Sequence, residues 1–241
     1  MLKQILPLFF LLFFIPGANA QLQSKAKALY KEGVQLKEAQ KLPEALNAFT
    51  SSIKLNNKFD SAHVEAGLVN LALGKTDEAV INFRNAIALN PKMTIALMSL
   101  GKVYRDFKPN LESAIYYYTL AAKTDSTNKE IFYSLAWTYN AKQLYDSAII
   151  FGKKALALDN NYRQAYSELA HAYRRVNKYA EAIEQFKKNL AISTVDLAYL
   201  YSGYCYTELK DKENALVMYE ELKKVNEKMS TALKRVIDKM E

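Results

Sequence analysis

Apolar and small residues recur along this chain with a period of about 34 residues, and the recurrence covers six copies. Each copy holds two stretches of helical periodicity joined by a short polar segment, which predicts a pair of packed helices. A small residue marks the same position in every first helix, where the two helices of a pair cross closely. These residues are Gly33, Gly67, Gly101, Ala136, Ala170 and Gly203.

The second helix of each pair carries its own marker, a small residue that is always alanine, followed four residues later in five of the six copies by an aromatic residue. The alanines are Ala45, Ala79, Ala114, Ala148, Ala182 and Ala215, and the aromatics are Phe49, Phe83, Tyr118, Phe186 and Tyr219. A spacing of four places both side chains on one helix face. The fourth copy departs from the pattern, because Gly152 stands at the aromatic position and Phe151 one residue earlier. We expect looser packing at Gly152.

Together the markers spell W-x2-L-G-x2-Y, A-x3-F and P, with other large apolar residues in place of Trp. The clearest copies are Leu97, Leu100, Gly101 and Tyr104 for the first half, and Ala79, Phe83, Ala86 and Pro91 for the second. The chain therefore resembles the tetratricopeptide repeat (TPR) family, with another helical-hairpin solenoid as the alternative. The resemblance implies an all-α, right-handed α-solenoid of six hairpins plus a C-terminal capping helix. The repeats would span 26–59, 60–93, 94–128, 129–162, 163–195 and 196–225.

The two ends of the chain lie outside the repeats. Residues 1–20 combine one cation, an apolar run from Ile5 to Ile15 and an Ala18-Asn19-Ala20 cleavage site, which is typical of a secretory signal peptide. We expect a mature chain from Gln21, exported to the bacterial periplasm or secreted, with an uncleaved anchor as the alternative. Residues 226–241 carry one apolar helical face and should cap the last hairpin, unless this face docks on a partner or a membrane surface.

Composition narrows the possible chemistry. The chain has one cysteine, Cys205, and two histidines, His63 and His171, at positions far apart in such a stack. We therefore expect no metal site, no cofactor, no catalytic residues and no enzymatic activity. The formal charge of +8 suits acidic partners, and export argues against nucleic acid. The sequence does not require membrane contact, and it does not indicate an oligomeric state.

The resemblance implies that the first helices line a concave groove. Predicted groove residues of repeats three to six are Lys102, Arg105, Tyr133, Trp137, Asn140, His171, Arg174, Arg175, Tyr201 and Tyr204. Aromatic and arginine side chains on one surface are typical of peptide-binding hot spots. We expect Arg174 and Arg175 to lie close to Trp137 and Tyr204; the alternative is that these rings only fill the superhelix. Lys153 and Lys187 should lie on the solvated convex face.

Some members of the family bind a C-terminal carboxylate through a Lys/Asn clamp, and that activity is not expected here. The matching positions carry Tyr30, Val34, Glu65 and Ile95. The sequence therefore predicts a non-enzymatic scaffold of the cell envelope that holds an extended peptide or a partner helix in its groove. The alternatives are an accessory binder of acidic glycan or cell-wall material, and a small enzyme on a helical scaffold.

Overall fold

A computed structural model describes residues 16–240, and every regular element in that range is an α-helix. The helices are α1 Pro16–Glu38, α2 Leu42–Leu55, α3 Asp60–Ala72, α4 Thr76–Leu89, α5 Thr94–Asp106, α6 Leu111–Thr124, α7 Lys129–Ala141, α8 Tyr145–Leu158, α9 Arg163–Arg175, α10 Tyr179–Ile192, α11 Asp196–Glu208, α12 Lys212–Val225 and α13 Glu227–Ile237. The apolar run of the predicted signal peptide lies outside the described residues. The predicted cleavage segment 18–20 lies within α1.

Consecutive helices pair as α1–α2, α3–α4 and so on to α11–α12, and a left-handed residue closes most of these hairpins. Gln40, Gly74, Gln143, Asn177 and Lys210 have φ between 59° and 74°. Each lies seven residues after the small residue of its first helix. The next backbone N–H reaches back five residues, as from Lys41 to the Leu36 carbonyl at 2.9 Å, which is the hydrogen bond of a Schellman helix end.

Hairpin three turns differently because it contains the extra residue. Pro109 disfavours helical backbone at Lys108, and Asn110 then caps α6 by accepting a 2.9 Å hydrogen bond from the Ser113 N–H. The Asn110 N–H reaches back to the Tyr104 carbonyl at 2.8 Å. The insertion is thus absorbed in the turn, and the helices on either side keep their register.

The small residues of the first helices face the predicted aromatics. A Cβ added to Gly33, Gly67 or Gly101 would lie 2.6–2.7 Å from the ring of Phe49, Phe83 or Tyr118, respectively. Such distances are too short for a side chain, so glycine allows each ring to fill the hairpin. The register predicted from the sequence is confirmed in these three hairpins.

The expectation of loose packing at Gly152 is wrong. The residue is buried, and an added Cβ would meet Leu169 Cβ at 3.3 Å. Leu169 from α9 therefore occupies the space that an aromatic fills elsewhere. Phe151 stacks instead on Tyr139, with ring centroids 5.3 Å apart and an interplanar angle of 3°.

The capping helix α13 packs on α11 and α12. Its Leu233 and Ile237 are buried, and Leu233 occupies the position next to Gly203 where earlier hairpins place their own ring. The aromatic predicted for this position, Tyr219, is only half-buried. Hairpin six is therefore completed by the cap.

The chain divides into two compact units, one ending at Pro91 and one beginning at Lys92. The first contains hairpins one and two, and the second contains hairpins three to six with α13. All ten predicted groove residues belong to the second unit. Among the helices of residues 16–240, none has the length and hydropathy required to cross a membrane.

Candidate functional site

A cleft of about 490 Å³ opens along α7, α9, α10 and α11. The α7 residues that line it are Trp137, Asn140 and Ala141; α9 contributes Arg163, Ser167, Glu168 and His171, and α10 contributes Phe186. Val195, Leu197, Ala198 and Tyr201 complete the lining. The helices α7, α9 and α11 are the first helices of hairpins four, five and six, which the resemblance assigns to the groove. Aromatic and aliphatic side chains dominate the cleft, and its polar groups come mainly from α9.

Trp137 is half-buried at the α7 side of the cleft and is already in contact with a cation. The Arg105 guanidinium lies over its ring, 5.0 Å from the centroid. Arg105 also forms a paired contact with Asp106, at 2.6 Å from Nε to Oδ1 and 2.8 Å from Nη2 to Oδ2. This guanidinium lowers the pKa of Asp106 by hydrogen bonding to its carboxylate. Arg105 therefore supports Trp137, and its charge is compensated within the protein.

Asn140 and Glu168 form the polar end of the cleft. Asn140 is 7% exposed, and its Nδ2 donates to the Glu168 carbonyl at 2.9 Å and to Glu168 Oε2 at 2.8 Å. Desolvation raises the pKa of Glu168, while the Asn140 hydrogen bond and the charge of Arg105 oppose that rise. The carboxylate of Glu168 is therefore a partly desolvated acceptor with one strong donor in residues 16–240, Asn140. Asn140 Oδ1 is buried and has no donor among the residues that the structure describes.

His171 lies one turn beyond Glu168 on α9 and contributes no charge at neutral pH. Burial lowers its pKa from 6.5, and Arg174 and Arg175 lower it further. Its ring meets Tyr145 edge-on at 6.4 Å. On the neighbouring turn, Ser167 accepts a 2.6 Å hydrogen bond from Asn189, so this part of the cleft is held by α10.

A second, more basic pocket of about 440 Å³ lies at the end of α9 and α11 near the cap. It is lined by Arg174, Arg175, Asn177, Tyr179, Tyr204, Thr207, Glu208 and Val236. The Arg174 guanidinium lies 4.7 Å from the Tyr201 ring centroid, and Arg175 lies 5.1 Å from that of Tyr145. The stacked pair of Arg174 and Tyr201 therefore lies between the basic pocket, which Arg174 lines, and the cleft, which Tyr201 lines.

The ten predicted groove residues thus divide into two groups and three outliers, one of which is Arg105, over the Trp137 ring. Trp137, Asn140, His171 and Tyr201 line the cleft, and Arg174, Arg175 and Tyr204 line the basic pocket. Lys102 is exposed, and Tyr133 packs edge-on against Tyr162 at 5.5 Å.

One predicted pairing needs correction. Arg174 and Tyr204 line the same basic pocket, but the cation over Trp137 is Arg105, from the preceding hairpin, and not Arg174.

The lysines predicted for a solvated face make specific contacts. Lys153 Nζ lies 5.8 Å from the Tyr173 ring centroid, and Lys187 Nζ lies 5.9 Å from that of Tyr206. Both link a second helix to the first helix of the next hairpin. Both side chains are exposed, as expected for a solvated face, and each also lies near a ring of the next hairpin.

Sequence reasoning missed Glu168 and Arg163. Glu168 lies two residues before the small residue Ala170, at a position that the family resemblance already assigns to the groove. The signal that could have found it was therefore its register. Its importance depends on burial and on the contact with Asn140, which a single helix pattern does not reveal.

Cys205 is fully buried, and desolvation raises the pKa of its thiol to about 12. It behaves as a small apolar core residue. Within residues 16–240, no group of three or more His, Cys, Asp and Glu side chains is placed to hold a metal ion.

Profiles of two known protein families match stretches of this chain that contain the helical hairpins. The tetratricopeptide repeat profile matches residues 64–129, and the profile of anaphase-promoting complex, cyclosome, subunit 3 matches residues 141–222. The chain is a TPR protein. Members of this family are generally non-catalytic scaffolds for other proteins. A comparison with curated protein sequences found no match.

Solved structures share the fold of this TPR protein at low sequence identity. YrrB, described as a TPR protein with an unusual peptide-binding site, has a TM-score of 0.71 and 19% identity over 78% of this chain and 98% of its own. PilF of Pseudomonas aeruginosa has a TM-score of 0.71 and 15% identity over 90% and 99%. PilW, a type IV pilus biogenesis factor, has 0.68 and 17% over 88% and 98%. At these identities the likeness concerns the fold alone.

Proposed function

We propose that this TPR protein is a non-enzymatic scaffold that holds an extended peptide or a partner helix in the groove of hairpins four to six. The observation that carries the proposal is the cleft between Trp137 and Tyr201. Its apolar walls surround a short row of polar groups, the arrangement by which peptide-binding sites combine affinity with orientation. The basic pocket of Arg174 and Arg175 extends the site and favours an acidic group on the partner.

We also propose that the protein works in the cell envelope. The support is the signal-peptide pattern of residues 1–20. Cleavage before Gln21 is compatible with the packing that the structure describes, because residues 19–25 are exposed and Ala26, which follows them, is buried. The Ala26 carbonyl also accepts a 2.7 Å hydrogen bond from Ser52 Oγ, so α1 would remain bonded to α2 after cleavage. Sequencing the N-terminus of envelope material should give Gln21, and material beginning at Met1 would contradict the proposal.

The second candidate is an accessory binder of acidic glycan or cell-wall material. The basic pocket favours it, because two arginines and the hydroxyls of Tyr179 and Tyr204 suit carboxylated sugars. The two candidates differ in what is captured, since a protein partner is sensitive to protease and a glycan is not.

Affinity capture with matched variants tests the groove. Trp137→Ala and Arg174→Ala should each weaken partner binding by about tenfold or more, as truncation of a hot-spot residue does. Lys123→Ala, an exposed lysine on α6, is the control and should leave binding unchanged. It is preferable to Lys153, which packs on Tyr173.

Thermal melting of each variant must accompany the binding measurement, because both groove residues also take part in cation–π contacts. Folded variants that keep full affinity would show that the partner binds elsewhere.

A further inference from the structure

We propose that the cleft receives an arginine side chain of the bound peptide, with the guanidinium on Glu168 and the stem between Trp137 and Tyr201. This inference rests on the proposed function and names the chemistry of its ligand. It differs from the acidic preference of the basic pocket, which lies on the other side of Arg174.

The first argument is the state of the Glu168 carboxylate. Its one hydrogen-bond donor among the described residues is Asn140, which binds Oε2. A partly desolvated carboxylate is stabilised by two or more donors, preferably charged ones. Asn140 Oδ1, buried in the same wall, also lacks a donor within the described part of the chain. This end of the cleft therefore has an excess of acceptors.

The second argument is that the protein's own cations do not supply those donors. Arg105 acts on Glu168 by charge, but two of its nitrogens are bound to Asp106. Arg174 lies over Tyr201 and faces the basic pocket. Arg163 lines the cleft five residues before Glu168, a spacing that does not place two side chains together on a helix.

The third argument concerns the walls. Guanidinium groups stack on aromatic rings and bring five N–H donors in one plane, whereas an ammonium group brings three without a plane. Arg105 lies over Trp137 and Arg174 over Tyr201, so these rings offer a ligand their remaining surface in the cleft. Leu197, 45% exposed, offers aliphatic surface for the stem. Because His171 is uncharged at neutral pH, no imidazolium repels an entering cation. Arg163 is a cation in the same lining, so the match to arginine rests on the Glu168 carboxylate, the excess of acceptors and the walls.

A random seven-residue peptide library, selected on the immobilised full chain, tests this inference. Selection on the wild type should enrich arginine at one position, and selection on Glu168→Gln should lose that enrichment. Glutamine keeps an oxygen that can accept from Asn140, so the variant removes the charge with little change of shape. Glu181→Gln, at an exposed carboxylate of α10, removes the same charge elsewhere and should retain the arginine preference.

One selected peptide then gives the magnitude. Trp137 is the chain's only tryptophan and reports binding through its fluorescence. Replacing the peptide arginine with citrulline, which is uncharged and of similar shape, should weaken binding to the wild type by about tenfold or more. Binding to Glu168→Gln should change less than about threefold, because the charge that recognises the arginine is already gone.

The outcomes separate this inference from the proposed function. Selected peptides that need Trp137 but show no arginine preference would overturn the arginine site and leave the scaffold standing. A selection that returns no peptide sensitive to Trp137→Ala would overturn both. An arginine preference that persists in Glu168→Gln would also overturn the inference, because the cation would then be recognised elsewhere.

Discussion

Hairpins three and six solve the same packing problem with different parts of the chain. In hairpin three, Gly101 makes room for Tyr118, which lies on the second helix of the same hairpin. In hairpin six, Gly203 makes room for Leu233, which lies on the capping helix α13. Hairpin three therefore contains its own core ring, whereas the terminal hairpin depends on the capping helix.

The strongest way to break this comparison is to delete residues 226–241. The deletion removes the buried side chains of Leu233 and Ile237, which together contribute about 3–6 kcal/mol. It also leaves the space beside Gly203 empty. We expect a lower melting temperature and self-association by size-exclusion chromatography. A monomeric truncated chain with unchanged melting would contradict the dependence of hairpin six on its cap.

Two leucine-to-alanine variants, which remove the same side-chain volume, compare the stability contributions of the two hairpins. Leu100→Ala and Leu233→Ala each remove a fully buried leucine and should each destabilise by about 2–5 kcal/mol. Urea denaturation gives the free energies of unfolding. If Leu233→Ala cost less than about 1 kcal/mol, well below the usual range for a buried leucine, the cap would be a peripheral attachment and not a part of the core.

Replacing Gly101 or Gly203 by alanine tests how tightly each glycine is packed against its partner. A Cβ at position 101 would lie 2.6 Å from a rigid ring carbon of Tyr118, and overpacking of this kind costs about 1–3 kcal/mol. At position 203 the nearest atoms are the terminal methyl carbons of Leu233, which can move to another rotamer. Gly203→Ala should therefore be the milder change in the same denaturation assay, and the reverse order would contradict this assignment.

The smallest expected effect is a gain in stability. Ser202 stands where hairpins three to five have Leu100, Leu135 and Leu169, and it is 1% exposed. Its hydroxyl has no hydrogen-bond partner within residues 16–240. Ser202→Ala should stabilise the protein by about 1 kcal/mol, because a buried hydroxyl without a partner is costly. A loss of stability in differential scanning calorimetry would indicate an undetected partner.

Sequence reasoning succeeded where partners lie a fixed distance apart along the chain. The pairing of Gly33, Gly67 and Gly101 with rings of their own hairpins follows from the register alone. The expectation for Gly152 was wrong because the space is filled by Leu169, from the following hairpin. Of the candidate site, the family resemblance implied that Trp137, Asn140, His171 and Tyr201 share one groove, but Glu168 was missed.

The sequence by itself determined the all-α repeat fold and the helix pairs. The reason is that helix periodicity and small-residue spacing are properties of a single segment. Only the tertiary structure decided that Arg105 lies over Trp137, that Arg174 lies over Tyr201, and that Leu233 fills the place beside Gly203. Those partners come from different hairpins or from the cap, so their contacts depend on rotamers and helix crossing, which no fixed spacing encodes.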